Sequence, residues 1–240
     1  SLVGSEMCIR DSDHTVYTVD LLGCGRSDKS SITYTNFVYV QMISDFIKKI
    51  IGQKTDVIAS GFSGSFVTMA CHNEKELFNK IMLVNPPSLT QLKQMPNRKD
   101  RLLKAALEIP IFGTLVYHMI VSRDNINNLF IEKMYYNPFH VDNQMADAYY
   151  EAAHKGGYYT RFLYSSLAAK YININICHAL KALDNSIYIV EGETEPNGKA
   201  VTDDYCASNP AIEVSVLKET KHLPHVEAPE AFLEQVKIFF

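Results

Sequence analysis

Short apolar runs along the chain alternate with longer amphipathic segments. The short runs are rich in β-branched and aromatic residues and end in small or turn-forming residues, which is typical of buried strands. Between them, apolar positions recur every three to four residues, as in residues 35–51, a segment that closes with two lysines and Gly52. This alternation predicts an α/β fold with a mostly parallel sheet covered by helices on both faces. The predicted strands are residues 15–20, 56–60, 80–85, 186–191 and 212–217.

The alternation stops between residues 88 and 184. Only helical periodicity is found there, so we predict an all-helical cap, inserted between two parts of the core at residues 13–87 and 185–240. Nine of the fourteen tyrosines lie in this region, where they indicate either a pocket lining or ordinary helix packing. The predicted helices are residues 97–108, 111–121, 123–135, 142–155 and 157–170.

Composition and charge exclude several classes of partner. The chain has 240 residues, of which 47% are hydrophobic, and a net charge of −4, so it can bury a sizeable core and has no basic excess for nucleic acid or acidic membranes. Its five cysteines are scattered without paired or metal-ligand spacing. No apolar run reaches membrane-spanning length and no secretory signal is visible. We therefore expect a soluble, cytoplasmic protein with no membrane span, metal or cofactor.

The first residues need a separate interpretation. Residues 6–12 match the in-frame translation of a sequencing-library transposon adapter, GAG ATG TGT ATA AGA GAC AG. We exclude residues 1–12 from fold reasoning and expect the native sequence to begin near Asp13, with the gene cut at its start.

The turn after the second predicted strand is the strongest candidate for chemistry. The apolar run ends in small residues, and a helix follows at once. A serine on so tight a turn is forced into a strained backbone conformation with its hydroxyl above the sheet, and Gly61 and Gly64 are small enough to leave room for it. We predict Ser63 as a nucleophile with positive φ, and the N–H of Gly64 as an oxyanion donor. The alternative is a Gly/Ser-rich turn without chemistry.

Two polar loops follow later strands. Residues 192–198 contain acidic side chains, and residues 221–230 contain His222 and His225. Because parallel strands all end at the same side of a sheet, both loops should meet the Ser63 turn at one edge. The glycines of the loop at residues 21–28 lack the spacing and the following helix of a phosphate-binding loop, so we expect no nucleotide there.

Taken together, these motifs resemble a cap-bearing, serine-nucleophile member of the α/β-hydrolase superfamily. The resemblance covers the chain from about Thr15 to Phe240, and its motifs follow the serine, acid, histidine order of that fold. The motifs are Asp20–Asp28, Gly61–Ser65, Gly192–Glu195 and His222–Glu230.

The resemblance implies a role for individual residues. Ser63 would be the nucleophile, His222 the general base with one ring nitrogen near the serine hydroxyl, Glu195 the acid facing the other nitrogen, and Phe62 a substrate contact. Two positions depart from the usual pattern, since Ser65 replaces a glycine and a glutamate stands where aspartate is commoner. The alternatives are Glu193, Asp203 and Asp204 for the acid, and His225 for the base.

A serine nucleophile suits attack on a carbonyl, through a tetrahedral oxyanion and an acyl-enzyme. We therefore expect hydrolysis of a small carboxylic ester or related acyl substrate. A carbon–carbon bond hydrolase, amidase or peptidase shares the same fold, and so does a hydrolase-fold protein that binds a ligand without turning it over.

The resemblance also implies three strands and a helix before Thr15. One of those strands would lie between the strand at residues 15–20 and the Ser63 strand, and its loop would supply a second oxyanion N–H. We expect a gap in the sheet beside the Ser63 strand.

Overall fold

A single parallel sheet organises the protein. The computed structural model describes residues 14–141 and 143–240, so the predicted adapter at residues 1–12 lies outside the described residues. Within them, four strands pair in the order β1-β2-β3-β4 and every neighbouring pair is parallel, which confirms the predicted fold class. The strands are β1 (Thr55–Ser60), β2 (Phe78–Val84), β3 (Ile187–Gly192) and β4 (Glu213–Leu217).

The helices of the described residues begin and end close to the predicted breaks, because glycine, proline and capping residues stop the helical periodicity. Asn97, for example, caps its helix by accepting the N–H groups of Lys99 and Asp100. The helices are α1 (Asn36–Phe46), α2 (Phe62–Asn73), α3 (Leu89–Leu92), α4 (Arg98–Glu108), α5 (Phe112–Ile120), α6 (Arg123–Leu129), α7 (Asn143–His154), α8 (Thr160–Ala168), α9 (Cys177–Ala182), α10 (Gly198–Ser208), α11 (Pro224–Glu227) and α12 (Pro229–Phe239). Short π or 3₁₀ turns are Ile47–Ile51, Lys75–Leu77, Phe130–Met134, Pro138–His140 and Gly157–Tyr159.

Both faces of the sheet are buried under helices. On one face, strand residues such as Ile81 and Leu83 pack with α1, α2 and α9 in the largest core cluster. On the other face, Met82 and Val190 pack against Phe232 of α12. Burying an aliphatic side chain of this kind completely stabilises the folded state by about 1.5–3 kcal/mol. The two layers therefore fix the sheet and its carboxyl edge in place.

The predicted strand at residues 15–20 is wrong. These residues form no ladder in the structure, and the side chains of residues 14–19 are exposed. A strand is held by hydrogen bonds to a neighbour, and among the described residues nothing pairs with the outer side of β1. Among the described residues β1 therefore has no strand on its outer side, but it is the edge of the sheet and not one side of the expected gap, because residues 15–20 form no strand beyond it.

Between β2 and β3, the described residues form helices and turns only. The exact boundaries of the cap, at residues 88 and 184, stay a prediction. Part of this helical region packs beside the loop after β4, where Leu223 joins a cluster with Ile126, Phe130 and Ala146. In the described part of the chain, no single helix is long and apolar enough to cross a membrane; the pair α4 and α5 reaches that length together but is bent by 97°.

Candidate active site

An acid–base pair stands at the carboxyl edge of the sheet. The Nδ1 atom of His222 lies 3.1 Å from Oε1 and 3.2 Å from Oε2 of Glu195. Glu195 sits on the turn after β3, where its N–H donates to the Gly192 carbonyl at 3.0 Å. His222 sits on the loop after β4, and its N–H donates to the Met134 carbonyl at 3.1 Å. The structure thus brings together the acid and the base that the resemblance implied.

The alternative acids have other partners. Glu193 accepts the N–H of Glu219 at 2.9 Å, and Asp203 pairs with Lys199 at 3.0 Å. Neither of these two carboxylates, nor Asp204, has a hydrogen bond to His222 among the described residues.

His225, the alternative base, lies in α11 and is 8% exposed. Its Nδ1 atom has no partner within the described residues. Burial, and then the nearby His222, lowers the pKa of His225 to about 4, so its ring is neutral at pH 7. An imidazole without a carboxylate partner is the weaker candidate for a base.

Asn85, the residue after β2, is hydrogen-bonded to the end of β3 and to the loop after β4. We did not predict this role from the sequence. Its side-chain nitrogen donates to the carbonyls of Lys221 at 2.8 Å and His222 at 2.9 Å, while its side-chain oxygen accepts the N–H of Gly192 at 3.0 Å. The residue is buried and has a φ of 42°, in the left-handed region that asparagine tolerates better than most residues. The available signal was a polar residue at the end of a buried strand, just before Pro86 and Pro87.

The tight turn from β1 into α2, here called the elbow, is centred two residues earlier than predicted. β1 ends at Ser60 and α2 begins at Phe62, so the single turn residue is Gly61, with φ 57° and ψ −131°. Ser63 is the second residue of α2 and does not have a positive φ, which corrects the predicted backbone geometry. Among the described residues no hydrogen bond joins its hydroxyl to His222. The catalytic role of Ser63 stays a prediction.

The predicted oxyanion donor also has a different position. The N–H of Gly64 donates to the Gly61 carbonyl at 3.1 Å in the first turn of α2. It is therefore engaged within the helix, contrary to the predicted role of this N–H as an oxyanion donor. The amide directly after the turn residue belongs to Phe62, the first residue of the helix, and such amides have no intrahelical partner. The Phe62 side chain is half-buried and packs against the main core, and its predicted contact with substrate stays a prediction.

A large groove borders the outer edge of β1. It has a volume of about 1770 Å³, and its lining includes Ser60, Ser63 and His225, whereas His222 and Glu195 lie outside it. Four of the nine tyrosines counted in the helical region line this groove: Tyr117, Tyr135, Tyr149 and Tyr164. Ser63 and His222 therefore do not open onto the same cavity.

Metal-binding side chains do not cluster in the described ranges, where no group of three or more His, Cys, Asp or Glu residues is arranged to hold an ion. The cysteines at positions 24, 71, 177 and 206 are free thiols.

Comparisons with known proteins agree with this architecture. The model of the Alpha/beta hydrolase family matches residues 8–235. No curated protein matches the sequence. Three similar solved structures are a carboxylesterase of the thaumarchaeon Nitrososphaera gargenis (16% identity, TM-score 0.65, 91% of this chain and 76% of that chain), a bromoperoxidase from Bacillus anthracis (11%, 0.70, 91% and 79%) and the 2-hydroxy-6-oxo-6-phenylhexa-2,4-dienoate hydrolase from Rhodococcus sp. strain RHA1 (16%, 0.69, 92% and 77%).

Proposed function

The chain belongs to the alpha/beta hydrolase family, and from that premise we propose that it hydrolyses a small ester or related acyl substrate. The observation that carries this proposal is the 3.1 Å contact between His222 and Glu195 at the carboxyl edge of the sheet. Because Nδ1 faces the carboxylate, Nε2 is the nitrogen that takes a proton from the attacking group. Glu195 orients the ring and stabilises the imidazolium that forms.

The attacking oxygen is either the hydroxyl of Ser63, as predicted through an acyl-enzyme, or a water molecule. Both routes use the same base, and both end in the same acid and alcohol. Ser63 has the support of its motif, whereas its helical backbone and the absence of a hydrogen bond to His222 within the described residues count against it.

The helical region between β2 and β3 acts, in this proposal, as a cap that selects the substrate. Its support is the packing of Ile126 and Phe130 on Leu223, the residue after His222. Tyr136 also donates its N–H to Glu227, in the same loop region, at 2.6 Å. Substrate specificity would then depend on the cap as well as on the sheet.

The substrate is a small molecule rather than a nucleic acid, since the chain has a net charge of −4 and no basic excess. A cytoplasmic location is part of the same proposal, and its support is the free state of the four described cysteines.

A second candidate function is ligand binding without turnover. One specific observation favours it, namely the glycine at the strand-to-helix turn, where a serine hydrolase of this family carries its nucleophile. An intact acid–base pair favours the enzyme, because a protein that only binds a ligand has no use for an oriented imidazole.

Turnover of p-nitrophenyl esters of increasing acyl length tests the proposed hydrolase. We expect His222→Gln to lower kcat/KM by about 10²–10⁴-fold, the usual contribution of a general base. Glu195→Gln should cause a smaller loss, because the amide still contacts the ring but no longer stabilises the imidazolium. Glu193→Gln is the matched control: it lies in the same loop, accepts the Glu219 N–H instead, and should leave turnover unchanged. Equal turnover by wild type and His222→Gln would contradict the proposal.

A further inference from the structure

Gly61 occupies the strained position of the strand-to-helix turn. It is the only residue between β1 and α2, and its N–H donates to the Val84 carbonyl at 2.9 Å. Its φ of 57° and ψ of −131° lie in a region that side chains make unfavourable. The side chain at such a turn projects above the carboxyl edge of the sheet, so the residue here decides whether the site has a covalent nucleophile.

The space above Gly61 is open. A Cβ atom added to this glycine would have no described heavy atom within 4 Å apart from its chain neighbours. The turn also lies beside the end of β2, where Asn85 donates to the His222 carbonyl at 2.9 Å. The loop that carries His222 is thus anchored at the end of β2, the strand beside β1, and the turn itself carries no side chain.

We infer, on the basis of the proposed hydrolase function, that Gly61 is the elbow residue and that this enzyme works without a covalent nucleophile. His222 deprotonates a water molecule above Gly61, and that water attacks the substrate carbonyl directly. Ser63, two residues further along in the first turn of α2, has no part in the reaction.

The atoms balance in two steps. The water oxygen bonds to the carbonyl carbon while Nε2 of His222 takes one of its protons, and the electron pair of the C=O double bond moves to oxygen. The N–H of Phe62, the first amide after the turn, donates to that oxygen. When the intermediate collapses, the bond to the leaving alcohol breaks and the alcohol takes the proton from His222. Ester and water become acid and alcohol, and no atom stays on the protein.

A serine placed at Gly61 should restore the missing nucleophile. We expect Gly61→Ser to react with a fluorophosphonate probe, and the double variant Gly61→Ser/His222→Gln to lose that labelling. Gly52→Ser is the matched control, because Gly52 also has a positive φ, 72°, and open space, but lies at the end of the α1 segment. It should remain unlabelled.

The wild type provides a test that does not depend on that variant folding. It should turn over p-nitrophenyl acetate without fluorophosphonate labelling, and acid-quenched samples should contain no acetyl adduct by intact-mass spectrometry. Ser63→Ala should keep wild-type turnover within about twofold, since an uninvolved group contributes nothing to the barrier.

The outcomes separate this inference from the function on which it rests. An acetyl or phosphonyl adduct mapped to Ser63 or Ser60 of the wild type would overturn the water route and leave the hydrolase proposal standing. A wild type that turns over p-nitrophenyl acetate while folded Gly61→Ser stays unlabelled would overturn the elbow assignment. No turnover of any ester by the wild type would overturn the hydrolase proposal and the water route together, even if Gly61→Ser were labelled.

Discussion

His222 and His225 are three residues apart, yet their surroundings give them opposite chemical properties. His222 is partly exposed, and its Nδ1 atom lies 3.1 Å from the Glu195 carboxylate. His225 is buried next to Phe232, and its pKa is lowered to about 4, first by burial and then by the nearby His222. A histidine that cannot charge in the folded state is a source of acid sensitivity rather than of catalysis.

We predict that His225 makes the protein less stable in mild acid. The unfolded chain binds a proton at this residue below a pKa of about 6.5, whereas the folded chain does so only near 4. The free energy of unfolding should therefore fall as the pH drops from about 6.5 to 4, by at most about 3 kcal/mol.

Urea unfolding of wild type and His225→Gln across this range measures the effect. The variant should show a flatter pH dependence. His140→Gln, which changes an exposed histidine, should follow the wild type. Parallel pH profiles for wild type and His225→Gln would show that His225 does not cause the acid sensitivity.

At the scale of elements, two asparagines hold β2 and β3 together at opposite ends. Asn185 donates to the carbonyls of Phe78 and Asn79 at the amino end, at 3.0 and 2.9 Å. Asn85 makes the equivalent bridge at the carboxyl end and also reaches the His222 loop. The two residues thus have similar structural tasks, but only one of them is connected to the acid–base pair.

We predict that Asn85→Ala lowers kcat more than its loss of stability explains. The change leaves a buried N–H and two carbonyls without their partner, which costs about 2–4 kcal/mol of stability, and it frees the loop that positions His222. At a temperature where the variant is still folded, kcat should fall while KM changes little.

Asn185→Ala is the control for this prediction. It should lower the melting temperature but leave kcat of the folded protein unchanged, since its contacts are at the far end of the sheet. An equal loss of kcat in both variants would mean that Asn85 acts on stability alone.

Sequence patterns locate the elements of this fold better than they locate the elbow. Helix periods and breakers reproduce α4, α5 and α7 to within one residue, because local capping and chain geometry decide those ends. The predicted helices at residues 123–135 and 157–170 are longer than α6 and α8, because they also take in the π turn Phe130–Met134 and the 3₁₀ turn Gly157–Tyr159. The elbow is ambiguous, since small residues recur every second position: Ala59 and Ser63 flank Gly61 in the same way that Gly61 and Ser65 flank Ser63. Only the point where pairing with β2 ends decides between the two registers, and that is a tertiary property.

The same limit explains the strand that was predicted at residues 15–20 and does not form. Val16, Tyr17 and Val19 have the composition of a strand, but composition does not provide a neighbour to pair with. The acid–base pair was predictable because both loops follow strands of a parallel sheet, whose ends converge whatever the details of packing.

At the scale of the whole molecule, the least protected surface is the outer edge of β1. Within the described residues this edge has no strand partner, and it borders the groove of about 1770 Å³. Ile58, in the middle of the strand, is 38% exposed. An exposed apolar edge with free N–H and C=O groups is a template for pairing with another copy of the chain.

We predict that this edge controls aggregation. Ile58→Lys places a charge in the middle of β1 and should raise the protein concentration at which light scattering begins, since pairing of this edge with another chain would have to desolvate the lysine. Ile111→Lys makes the same change at an exposed turn residue just before α5, 80% accessible and outside the sheet. Both substitutions should change the free energy of unfolding by only about 0.5 kcal/mol, because neither side chain is buried. If the two variants delay aggregation equally, the added charge alone is responsible; if only Ile58→Lys does so, the free edge of β1 is the aggregating surface.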